Sequence, residues 1–73
     1  MDMMVHTKPT KEELRGLFRY LKAEKAFGFL GRDLQTERGF LKYFTGDEVA
    51  TMVFEIGGQC IGIMWLTSYE TYG

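Results

Sequence analysis

Apolar residues recur at helical spacing in the first third of the chain. Leu14, Leu17, Phe18 and Leu21 fall at i, i+3, i+4 and i+7, the stripe of an amphipathic helix. Just ahead, Thr10-Lys11-Glu12-Glu13 reads as a capping box, with the Thr10 hydroxyl accepting from the Glu13 amide while Glu13 reaches back. The pattern predicts a helix over 10–24. Before it, residues 3–7 are short, apolar and partly β-branched, an edge strand that Pro9 stops. After it, Gly28 and Gly31 mark a loop with Phe27, Phe29 and Leu30 expected to tuck beneath it. A second, shorter helix is predicted over 36–44 with Phe40, Leu41 and Phe44 on its apolar side and Leu34 just before it. Gly39 weakens that helix by about 1 kcal/mol relative to Ala, and Gly46 closes it.

Period-2 patterning takes over in the last third. Residues 49–56 have strand composition, and residues 59–69 return as a second strand. Gly57-Gly58 between them suits the two positive-φ positions of a primed hairpin turn. An unbroken register from that turn places Ile56 opposite Gln59, Phe54 opposite Ile61, Met52 opposite Ile63 and Ala50 opposite Trp65. The face of Met52, Phe54, Ile56, Ile61, Ile63 and Trp65 is then expected to pack on the helices, with Trp65 against Leu17, Phe18 and Leu21. The opposite face, including Val53, Cys60, Gly62, Met64, Leu66 and Ser68, is mixed and more apolar than a fully wetted face usually is. The class is α+β: two helices on one face of a small antiparallel sheet, built from the C-terminal hairpin and an N-terminal strand. With 73 residues, this is a single domain over 1–73.

Composition narrows the class of function. At 45% hydrophobic and 15% aromatic residues the chain can bury a core. One cysteine, Cys60, allows no internal disulfide, which favours a reducing, cytoplasmic setting. The N-terminus carries no signal-peptide pattern, and no apolar run approaches the ~20 residues that span a bilayer. Charge is split along the chain. Residues 1–42 hold all nine Lys and Arg against six acids, net +3, whereas residues 43–73 hold four acids and no base, net −4.

Candidate chemistry is thin. His6 and Cys60 are the sole histidine and cysteine. No spacing links them to an orienting third group, as nucleophilic catalysis needs, and His6 lies near a terminus expected to be mobile. Together they supply too few ligands for a four-coordinate zinc site. Gly57-Gly58 lies between strands rather than at a helix N-terminus, where a phosphate cradle would lie. We expect no catalytic residues, no metal and no cofactor. The basic residues form a pattern of their own. Lys11, Arg15, Arg19 and Lys22 line one solvent face of the first helix, flanked by Lys8 and Lys25. Such a stripe is an electrostatic dock for an acidic protein surface. A pI near 5.7 argues against nucleic acid as the partner. The alternative partner surface is the second sheet face, at Val53, Met64 and Leu66, interrupted by Gly62.

The run Lys8-Pro9-Thr10-Lys11-Glu12-Glu13-Leu14, followed by Met52-Val53-Phe54-Glu55-Ile56-Gly57-Gly58-Gln59-Cys60-Ile61-Gly62-Ile63-Met64-Trp65, resembles the N-terminal half of a GNAT-type acyltransferase. Ile56-Gly57-Gly58-Gln59-Cys60 with Trp65-Leu66-Thr67 is also similar to the GNAT-like internal virion protein of short-tailed phages. The resemblance implies a strand, helix, helix, strand, strand layout. In that family the acyl-CoA pyrophosphate is held on a glycine-rich loop after the fourth strand. The sequence ends before such a loop, so the resemblance argues against the activity. The expectation is a small non-enzymatic protein-binding regulator, in the manner of phage proteins that inhibit or redirect a host complex such as RNA polymerase or a defence complex. The alternatives are a truncated or split acyltransferase half, and a virion-associated structural protein. Oligomeric state is left open.

Overall fold

The computed structural model describes residues 2–67. The elements are β1 (Met3–Thr7), α1 (Lys11–Ala23), a 3₁₀ turn (Arg32–Gln35), α2 (Glu37–Phe44), β2 (Val49–Ile56) and β3 (Gln59–Thr67). The strands form one antiparallel sheet in the order β1-β2-β3. Both helices pack on the same side of it, which gives the two-layer α+β class expected.

Local rules account for the helix ends. Thr10 Oγ1 accepts from the Glu13 amide at 3.1 Å, and Glu13 Oε1 accepts from the Thr10 amide at 2.8 Å, completing the capping box. At the other end, Lys25 takes a left-handed conformation, φ 55°. The Ala26 and Lys25 amides donate to the Leu21 and Lys22 carbonyls. This is the crossed pair of bonds of a Schellman ending, with lysine where glycine is usual. The α2 N-cap is Thr36, whose hydroxyl accepts from the Gly39 amide at 3.1 Å. Gly39 has a further role. A Cβ there would lie 1.9 Å from the Asp33 carbonyl oxygen, so glycine is what lets the 3₁₀ turn lie against α2.

The helices supply most of the core. Leu14, Leu17, Phe18 and Leu21 from α1 meet Phe40 and Phe44 from α2, with Leu30 from the loop. Phe40 sits edge-on to both Phe18 and Phe44, at 5.4 and 4.8 Å between ring centroids. From the sheet, Val53 and Cys60 are buried, along with Thr51, whose hydroxyl donates to the Phe44 carbonyl at 3.2 Å. Of the loop residues, Leu30 is buried as expected, but Phe29 is half-exposed and lies over Trp65 at 5.9 Å.

The hairpin departs from the unbroken register. Gly57 and Gly58 have φ of 59° and 82°, and Ile56 pairs with Gln59 as the turn requires. One residue further, Glu55 pairs with Cys60, but Phe54 then pairs with Gly62 rather than Ile61. Ile61 is the extra residue of a β-bulge. Beyond it Val53 faces Ile63, Met52 faces Met64 and Thr51 faces Trp65. The bulge corrects the expected faces: Ile63 and Trp65 do lie on the helix side, yet their partners from β2 are Val53 and Thr51. Met52, Phe54 and Ile56 lie on the open side. Trp65 makes its ring contacts with Phe44, at 5.2 Å, and Phe29 rather than with Phe18. The predicted end of the last strand, residues 68–69, lies outside the described residues.

Candidate functional site

The basic stripe on α1 is present but not uniform. Lys11, Arg19 and Lys22 are exposed and enter no ion pair among the described residues. Arg15 does not belong with them as a free cation. It is partly buried, its Nη1 donates to Glu12 at 3.0 Å, and its Nε lies 3.8 Å from Glu37 on α2. Arg15 therefore ties the two helices together. Lys8 and Lys25 are exposed at the corners before and after α1, both with positive φ.

His6 corrects the expectation of a mobile terminus. It is the one half-buried residue of β1 and points to the helix side of the sheet. Its Nδ1 lies 2.7 Å from Glu13 Oε2, and its Nε2 lies 2.8 Å from Glu55 Oε1. Each carboxylate oxygen is an acceptor, so both contacts are hydrogen bonds when the ring carries two protons. Glu13 uses one oxygen to cap α1 and the other to hold β1. Spacing gave no hint of this cluster, because 49 residues separate His6 from Glu55. The signal available was their alternation toward one face, which the incorrect faces concealed.

Cys60 lies on the same side, opposite Glu55 in the ladder. Burial, then the charges of Glu55 and Glu13, push its thiol up from the ordinary 9.0, which keeps it protonated and a poor nucleophile at neutral pH. The geometry here joins strand to helix and offers no activated nucleophile. Among the described residues, no group of three or more His, Cys, Asp or Glu is arranged to hold a metal ion. A shallow groove between the 45–48 loop and the end of β3 is open to solvent and contains neither His6 nor Cys60.

The most distinctive surface is the open side of the sheet. Met3 and Val5 of β1, Met52, Phe54 and Ile56 of β2, and Met64 and Leu66 of β3 share it by register. Met3, Val5, Met64 and Leu66 are 56, 48, 52 and 72% exposed. Val53, expected here, is instead completely buried on the other side. Gly62 was expected to interrupt this face, but the Phe54 ring lies beside it, 3.6 Å from where a Cβ would be. No described residue on this face is charged.

No protein-family model, no curated protein and no solved structure matches this chain. No helix among the described residues is long and apolar enough to cross a membrane.

Proposed function

We propose that the chain is a small non-enzymatic binding module that docks on an acidic protein surface of a larger complex and inhibits or redirects it. A phage-encoded regulator acting on a host complex such as RNA polymerase or a defence complex fits this description. The observation that carries the reading is the division of charge. Every Lys and Arg lies between Lys8 and Lys42, the segment that builds the helical layer, and Lys11, Arg19 and Lys22 are exposed on its outer side. Cations held on a rigid helix steer an acidic partner and fix its orientation. The acidic balance of the whole chain weighs against nucleic acid.

The test is capture from a bacterial lysate on the immobilised chain. Reversing Arg19 and Lys22 to Glu should leave the fold intact, since both side chains are exposed. It should remove most of the captured protein, and wild-type capture should fall as salt is raised through the physiological range, where the screening length is ~8 Å. Capture that survives both changes refutes the reading.

A second reading, half of an acyltransferase, is favoured by the element order strand, helix, helix, strand, strand. Acetyl-CoA separates the two. A ligand that binds only the folded state raises the melting temperature; such a rise would favour the acyltransferase half, and the regulator predicts none.

A further inference from the structure

We infer that the open face of the sheet is covered by a second copy of this chain, packed face to face about a two-fold axis. The first support is that β2 turns its larger apolar residues outward. Met52, Phe54 and Ile56 lie on the open side, while Thr51 and Val53 lie against the helices. A sheet with only one covered face normally alternates apolar inward and polar outward. Here the outward positions of all three strands are apolar or small, apart from Thr7 at one corner and Gln59 beside the hairpin turn. Such a pattern belongs to a sheet buried on both faces.

The second support is area. The four half-exposed or more exposed side chains, with the partly shielded residues between them, present on the order of 500–600 Å². Two copies face to face would bury about 1,000–1,200 Å². That exceeds the ~800 Å² below which most incidental contacts lie and reaches the lower edge of specific interfaces. Two sheets packed this way lie about 10 Å apart with interleaved side chains, and the methionines at 3, 52 and 64 adapt readily to such a fit.

The third support is charge. A two-fold contact brings the same patch together from both copies, so a charged group near the axis meets its own kind. This face has none. A membrane surface would call for several bases around the apolar patch, but apart from Lys8 at the corner after β1 the bases lie in the helical layer and its loops. A foreign partner would be expected to meet polar groups across the patch that set its orientation, and among the described residues the face offers only Thr7 and Gln59, both at its margins. Closing the sheets together leaves the two helical layers outermost, so the inference goes beyond the proposed docking surface and uses different residues.

Sedimentation velocity tests it. Over a roughly hundredfold concentration range, the wild-type mass should rise from 8.5 kDa toward twice that and stop there. Met64→Asp and, separately, Leu66→Asp should hold the single-copy mass throughout with unchanged circular dichroism, because both positions are exposed. Arg19→Glu with Lys22→Glu should dimerise as wild type does. A wild type that stays single, a mass that climbs without limit, or a Met64→Asp protein that dimerises normally overturns the inference. If the wild type stays single and Met64→Asp loses a protein that the lysate supplies, a foreign partner covers the face instead. The charge-reversal experiment fails or succeeds independently of all these outcomes.

Discussion

The two faces of the sheet are made by the same three strands, yet they follow different rules. On the helix side, β2 contributes Thr51 and Val53, both small, and β3 contributes Cys60 with the partly buried Ile63 and Trp65. On the open side stand Met52, Phe54 and Met64, all of them larger than Thr51 and Val53. Hydrophobicity by itself would have buried the second set. Volume explains the choice, because the helices already bring Phe18, Phe40 and Phe44 into the interior. Close packing leaves the central strand β2 room for small side chains only beneath those rings, while Ile63 and Trp65 of β3 pack around their margin. Which face of a strand is buried thus depends on what the opposing layer supplies.

The largest effect should separate the faces directly. Phe40→Ala removes a fully buried ring and should cost about 3–5 kcal/mol, enough to unfold most domains of this size. Phe54→Ala, on the open face, should cost less than about 2 kcal/mol in urea titrations of the same protein. Equal losses would show that the two faces matter alike.

Gly39→Ala tests how tightly the helical layer is fitted. Helix propensity alone says alanine should help by about 1 kcal/mol. The Asp33 carbonyl 1.9 Å from the new methyl says the reverse, and the melt should report a net loss of about 1–3 kcal/mol. A stabilised Gly39→Ala protein would mean the 3₁₀ turn moves away at little cost.

Volume itself is tested by adding to each face. Val53→Phe should cost about 1–3 kcal/mol as overpacking, whereas Met52→Phe one residue along should stay within about 0.5 kcal/mol in the monomer. If both are tolerated, volume does not choose the face.

The smallest effect concerns Cys60. Its folded thiol is held above the ordinary 9.0 by burial and by Glu55 and Glu13. The folded state therefore retains a proton that the unfolded state releases. The contribution is full below about pH 9 and declines as pH rises past it. Stability of the wild type should fall faster above pH 9 than that of Cys60→Ala, and iodoacetamide should label native Cys60 slowly at neutral pH. Rapid labelling without unfolding would place the thiol nearer solvent.

Much of this fold was legible along the chain. The capping box, the Leu14–Leu21 stripe, the Thr36 start of α2 and the Gly57-Gly58 turn are all local, and each lies where its residues put it. The faces were not legible, because a bulge leaves no fixed mark in composition and one extra residue reverses every side chain beyond it. Val53 was consequently assigned to the surface. The basic stripe was readable as a pattern, but the capture of Arg15 by Glu37 depends on how α2 crosses α1. The His6 cluster depends on a strand pairing across most of the chain.

That last pairing bears on the order in which the molecule is made. Val5 pairs with Phe54 and His6 with Val53, so β1 leaves the ribosome well ahead of β2 and has no neighbour until both helices and then β2 have been made. At typical synthesis rates the wait is on the order of several seconds, with Met3, Met4 and Val5 uncovered throughout. Ribosome-arrested chains that end before Glu55 should be cut by protease within 3–7, and released full-length chains should resist. Until β2 arrives, the nascent chain therefore offers a chaperone an apolar N-terminal segment that the finished protein partly withdraws into a sheet.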